Sequence, residues 1–135
     1  KFKENFILIG SDWSKLSIKH VESNYNIKKN KEIYRGNVCL DLGCIEGSSS
    51  LYSRTNQVIE SGGLIIQTNQ LDYREKWKSL TERILFKNFT DLDHIIQKIF
   101  NDEHHANKLL SDIRENFSNT KKLTENSLDK VFNYK

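Results

Sequence analysis

Val38-Cys39-Leu40-Asp41-Leu42-Gly43, followed some twenty positions on by Gly62-Gly63-Leu64-Ile65-Ile66, decides the fold of this chain. Both are continuous apolar runs bounded by glycine. Runs of that kind, rather than alternating ones, belong to strands covered on both faces, and so to a parallel sheet. Between them Leu51, Thr55, Val58 and Ile59 fall on one helical face, and Gly62 supplies a stop signal. Strand, helix and strand within about 30 residues make a βαβ unit.

The same pattern extends on either side. Phe6-Ile7-Leu8-Ile9, ended by Gly10-Ser11-Asp12, reads as a strand, and so does the shorter Ile84-Leu85-Phe86. Beyond it the periodicity is helical only. Thr90-Asp91-Leu92-Asp93 predicts a capping box with Asp in the place of Glu, and Leu92, Ile95, Ile96 and Ile99 follow at helical spacing. Asp102 is placed to cap a second helix carrying Ala106, Leu109, Leu110, Ile113 and Phe117. A third helix is expected over 123–132, with Leu128, Val131 and Phe132. Lys28–Lys31 and Gln70–Leu80 read as surface connections; the first is a solvated turn, and the second carries Trp77 against the sheet edge. The expected fold class is α/β: one Rossmann-like three-layer domain over 1–135, with a small parallel sheet of about four strands and a C-terminal helical tail.

Composition narrows the functional classes. The chain has 135 residues, 36% hydrophobic and 29% charged, enough apolar side chains for a core. No apolar run approaches the roughly 20 residues of a membrane span, and there is no signal-peptide pattern. A net charge of +3, from 21 basic and 18 acidic residues spread along the chain, does not mark a nucleic-acid binder. The chain contains neither Met nor Pro, and without Met it reads as part of something longer. Cys39 and Cys44 flank an extended segment that puts their Cα atoms beyond the roughly 7 Å a disulfide allows, so they read as reduced thiols of a cytoplasmic protein. There is no CxxC, and His20, His94 and the His104-His105 pair read as solvated, so no metal and no cofactor is expected.

In parallel α/β folds ligands bind beyond the carboxyl ends of the strands. That directs attention to Gly10–Lys15, Gly43–Ser50, Gln67–Tyr73 and Lys87–Thr90. Within the second of these, Asp41, Gly43 and Gly47 resemble the first motif of S-adenosylmethionine-dependent methyltransferases. Ile45, however, stands at the motif's central glycine, and the next strand ends in Gln67-Thr68-Asn69 rather than in an acid.

A second resemblance spans nearly the whole chain. A strand ending in glycine (Phe6–Gly10) comes first. Then a middle strand leads into Glu46-Gly47 and a helix bearing Arg54, closed by Gly62-Gly63 before a hydrophobic strand. Ile84-Leu85-Phe86-Lys87-Asn88-Phe89-Thr90-Asp91-Leu92 supplies the short strand and the helix start that follow. This order is similar to the C-terminal, donor-binding domain of GT-B glycosyltransferases of group 1, the spore-maturation-type glycosyltransferase-like proteins in particular. The resemblance implies a nucleotide-sugar donor as ligand, and an acceptor held by an N-terminal domain outside this chain. It implies that the chain is the C-terminal half of a two-domain protein, inactive alone. The family's helix arginine falls on Arg54, and the glutamate that meets the nucleotide ribose falls on Gln57, whose amide accepts a hydrogen bond but carries no charge. Donor contacts are thereby expected from Arg54, Gln57, Glu46, Gly47, Ser48, Gly62 and Gly63, with Lys15 beyond the first strand as a further phosphate contact. Arginine, lysine and a helix N-terminus suit the charge that a leaving nucleoside diphosphate develops. No catalytic residue is identified. The alternatives are a methyltransferase fragment and a non-catalytic α/β binding module, the latter made credible by Gln57.

Overall fold

A computed structural model gives the fold and describes residues 8–9, 20–21, 27–42 and 53–132. It divides into two compact units, Lys1–Ile33 and Tyr34–Lys135. In the first, β1 (Leu8–Ile9) pairs in parallel with β2 (His20–Val21), a strand that the apolar pattern does not announce. α1 (Ile27–Tyr34) runs up to the boundary. Lys28–Lys31 is therefore helix and not a turn. A helix can carry Lys-Lys-Asn-Lys when those side chains face water, and Lys28, Lys29 and Lys31 are exposed.

The second unit is mixed α/β and mostly helical, built on an open sheet of three parallel strands in the order β3-β4-β5. β3 (Val38–Asp41) pairs with β4 (Leu64–Thr68) from Val38↔Leu64 to Asp41↔Gln67, and β4 pairs with β5 (Leu85–Phe86). Of the strand expected at Phe6–Ile9, the described part, Leu8–Ile9, pairs with β2 and not within this ladder; Phe6 and Ile7 lie outside the described residues. β4 is the central strand: Leu64, Ile65, Ile66 and Gln67 are all buried, and since successive side chains alternate, both its faces are covered. β3 is an edge strand, and Val38, Cys39 and Leu40 are only half-buried.

α2 (Ser53–Ser61) connects β3 to β4 and buries Thr55, Val58 and Ile59, the face that its spacing predicts; Leu51 lies outside the described residues. Its end is a Schellman motif: Gly62 N–H donates to the Ile59 carbonyl at 3.0 Å and Gly63 N–H to the Val58 carbonyl at 2.9 Å. Gly62 has φ 86°, the left-handed region that costs an L-residue about 1–2 kcal/mol. Gly63 is held by space instead. A Cβ there would stand 2.6 Å from the Tyr34 carbonyl oxygen and 2.9 Å from Val58 Cγ1.

The stretch from Gln70 to Leu80 is not a surface connection. α3 (Leu71–Trp77), a 3-10 turn (Lys78–Leu80) and α4 (Thr81–Ile84) occupy it, and Tyr73, Trp77, Leu80 and Ile84 are buried. Trp77 is core, not a plate over the sheet edge.

α5 (Phe89–Asn101) buries Leu92, Ile95 and Ile99 as expected, but its cap lies two residues earlier than Thr90. Asn88 Oδ1 accepts from the Asp91 N–H at 2.9 Å, and Asp91 Oδ2 accepts from the Lys87 N–H at 3.1 Å. Asp102 caps the next helix, accepting from the His105 N–H at 2.8 Å. The two expected terminal helices are one, α6 (Glu103–Phe132), of 30 residues and so about 45 Å. Leu109 and Ile113 in its first half are fully buried, whereas every residue from Ser118 to Ser127 is exposed. Among the described residues no helix is long and apolar enough to cross a membrane.

Replacing Gly63 with alanine forces its Cβ against the Tyr34 carbonyl, which the Asn37 N–H holds in place, and against Val58 Cγ1. Gly63→Ala is expected to lower the unfolding free energy by about 1–3 kcal/mol, measured by urea denaturation of the variant against the wild-type chain.

Candidate functional site

Because β3 and β4 are parallel, α2 must run back between them. Its first turn lies at the carboxyl edge of the sheet, and Gly62-Gly63 lie at the amino edge. The residues expected around a donor are thus distributed. Arg54 is exposed in the first turn of α2, and Gln57 follows one turn later, half-buried. Gly62 and Gly63 follow the other end of α2, about 12 Å along the helix axis from Arg54 and about 8 Å from Gln57. There Gly62 offers its carbonyl to the Gly36 N–H, and Leu64 N–H donates to the Asn37 carbonyl. Glu46, Gly47, Ser48 and Lys15 lie outside the described residues, as do Ile45, Cys44 and Trp13. Of the four expected loops, Gly10–Lys15 and Gly43–Ser50 lie outside them too. Gln67–Tyr73 instead ends β4 and opens α3, and Lys87–Thr90 carries the cap of α5.

Beneath Arg54 lies a polar cluster that the apolar pattern conceals. Gln67, pointing off β4, is fully buried. Its Nε2 donates to Asp41 Oδ2 at 3.1 Å and to Thr55 Oγ1 at 2.9 Å, and its Oε1 accepts from the Trp77 indole N–H at 2.8 Å. Thr55 and Trp77 are buried completely and Asp41 nearly so. The residue that stands where a methyltransferase strand would present an acid is therefore committed inside the fold. The only sequence signal for this cluster is the spacing Tyr73, Trp77, Leu80, which marks a buried helical face inside the charged stretch from Arg74 to Lys78.

Charge at this edge is uneven. Arg54 makes no ion pair among the described residues, where the salt bridge present is Arg83 with Asp112, between α4 and α6. Burial pushes the Tyr34 hydroxyl pKa up, and the nearby Arg54 guanidinium pulls it partly back; Cys39 and Asp41 act on the same hydroxyl in the opposite sense. Burial also drives the free Cys39 thiol to about 11, so it is protonated and inert at neutral pH. The rim of the edge is apolar. Leu42 after β3, Leu71 after β4 and Phe89 after β5 are 63%, 65% and 86% exposed.

Behind the cluster, Lys76 Nζ stands 4.9 Å from the Trp77 ring centre and 5.9 Å from that of Phe117. Burial lowers its pKa from 10.5 to about 8, while the two ring faces favour the charged form and act against that shift. Elsewhere, concavities of about 390 Å³ (His94, Gln97, Lys98, Asn101, Asp102) and about 50 Å³ (Glu82, Arg83, His94, Ile95, Lys98, His105) lie along α5 and the start of α6. Neither is lined by α2 or a strand. Among the described residues no group of three or more His, Cys, Asp or Glu is suited to a metal ion.

With this geometry in place, comparison with family models, curated proteins and solved structures finds no match to the chain.

The Lys76 environment has a measurable sign. Between about pH 8 and 10.5 the unfolded chain holds a proton on Lys76 that the folded chain has released, so stability rises with pH across that window. Cys39 acts oppositely between about 9 and 11, because the folded thiol stays protonated longer. Comparing wild type with Lys76→Met by urea denaturation from pH 7 to 10.5 cancels the Cys39 contribution. The wild type should gain stability relative to the variant as pH rises; a constant difference would contradict the assignment.

Proposed function

We propose that this chain is the donor-binding domain of a GT-B glycosyltransferase of group 1. It binds a nucleotide-activated sugar at the carboxyl edge of the sheet, for transfer to an acceptor held by an N-terminal domain. The observation that carries the reading is Arg54: an exposed guanidinium without an ion-pair partner among the described residues, in the first turn of the helix that follows β3. At that place a phosphate meets both the side chain and the N–H groups of the first turn of α2. Gln57, one turn on, offers an amide to the ribose, and Glu46, Gly47, Ser48 and Lys15 complete the contacts in this reading. The same reading carries the finer architecture, a Rossmann-like three-layer domain with a sheet of about four strands, in the cytoplasm.

Two further features favour it over the methyltransferase alternative. The described chain beyond β5 is helical to Phe132, where a larger methyltransferase sheet needs more strands, and the Gln67 amide is used internally. The exposed rim of Leu42, Leu71 and Phe89 also suits an edge that a second domain faces. The chain alone binds donor and does not complete transfer. The absence of a charged group at Gln57 favours a non-catalytic binding module as the second reading.

NMR titration tests these readings together. UDP or GDP should shift the amides of Arg54 and Gln57 saturably, and S-adenosylmethionine should not. Arg54→Ala should weaken the nucleotide by about 10- to 100-fold, the loss of one hydrogen bond to a charged group. Saturable S-adenosylmethionine binding around Asp41 would overturn the proposal, and silence toward all three ligands would leave the binding module.

A further inference from the structure

We infer that Gln67 is a positioning residue: its amide sets where α2 begins, and so where Arg54 stands. Arg54 is exposed, whereas its neighbour Thr55 is fully buried and is the anchor of that turn. Thr55 Oγ1 accepts one Nε2 proton of Gln67, and Asp41 Oδ2 accepts from the same nitrogen. One planar group therefore ties the α2 turn to the end of β3. Its orientation is not free. The Trp77 indole N–H can only donate, so it requires Oε1 and leaves Nε2 for the other two. A flipped amide would turn N–H toward N–H at Trp77 and oxygen toward the carboxylate at Asp41. Because Gln67, Thr55 and Trp77 are closed to solvent, water does not compete for these bonds. α3 thus dictates how the amide points, and the amide dictates the position of the turn bearing Arg54.

The ligand side of this inference rests on the donor reading above. A nucleotide phosphate that draws on Arg54 displaces Thr55, and through the amide it reaches the Trp77 indole proton. Substituting Gln67 itself strands three partners and threatens folding, so Thr55 is the residue to vary in the full chain. Thr55→Val keeps the shape and removes the acceptor; Thr55→Ser keeps the acceptor.

Hydrogen exchange should be followed at the amides of Gln57, Val58 and Ile59, which close the first turns of α2, with Leu109 and Ile113 in α6 as reference. In Thr55→Val the three α2 amides should exchange about five- to tenfold faster, with the reference amides unchanged. UDP should bind about five- to tenfold more weakly. The UDP-induced shift of the Trp77 indole proton, distinguished from that of Trp13 by a Trp13→Phe background, should disappear. Thr55→Ser should restore all three. Wild-type exchange in Thr55→Val, or equal acceleration at Leu109 and Ile113, overturns the positioning role. If UDP and GDP fail to bind the unmodified chain, the donor reading falls, while the exchange comparison still decides whether Thr55 and Gln67 order the turn.

Discussion

A single side-chain amide, that of Gln67, joins four elements of the Tyr34–Lys135 unit. It meets Asp41 of β3, Thr55 of α2 and Trp77 of α3 from its own place on β4. Polar groups taken from water without partners cost several kcal/mol, and the hydrogen bonds among these four side chains offset that cost. The arrangement also discriminates between alternatives. Asp41 and Gln67 are register partners, and a slip of one residue would set Asp41 against Ile66 or Thr68 and reverse every face of the central strand. Hydrophobic burial drives this unit together; the amide specifies which of the compact arrangements it adopts.

The strands and the βαβ order were legible because they depend on local composition. Continuous apolar runs announce a covered strand wherever they occur, and Gly62 announces a helix end through its own backbone freedom. What stayed hidden depends on context. Tyr73, Trp77 and Leu80 carry a helical period, but Arg74, Glu75, Lys76 and Lys78 between them give the stretch the polarity of a loop. Asn88 outcompetes Thr90 as a cap because the chain turns there after only two strand residues, a distance that side-chain types do not reveal. β2, His20-Val21, has no apolar run around it, whereas β1 and β5, equally short, lie within the runs Phe6–Ile9 and Ile84–Phe86. The division of α6 into two helices had a similar origin. Ser118 to Lys122 carry no apolar residue to continue the period, yet the helix runs through them, and the Thr120, Thr124 and Ser127 hydroxyls each donate to the carbonyl one turn earlier.

The candidate site was legible to a smaller extent. The order of motifs pointed to Arg54 and Gln57, and both stand in the opening turns of the helix after β3. The Gly62-Gly63 pair has a local explanation in the Schellman turn and in the closeness of the Tyr34 carbonyl, at the opposite end of β4. Of the Gln67 cluster only the helical spacing of Tyr73, Trp77 and Leu80 shows in the sequence; the cluster itself requires Thr55 and Trp77, twelve residues before and ten after, to converge on one amide. Convergence of that kind belongs to tertiary structure, not to spacing.

The exposed stretch of α6 from Ser118 to Ser127 has a consequence for cooperativity. A short peptide helix in water is limited by the cost of its first turn, not by extension. Here Leu109 and Ile113, clamped in the core, supply that first turn, and the residues beyond Ser118 extend a nucleus already formed. Their helicity is inherited from the packed half. It persists only as long as the core does.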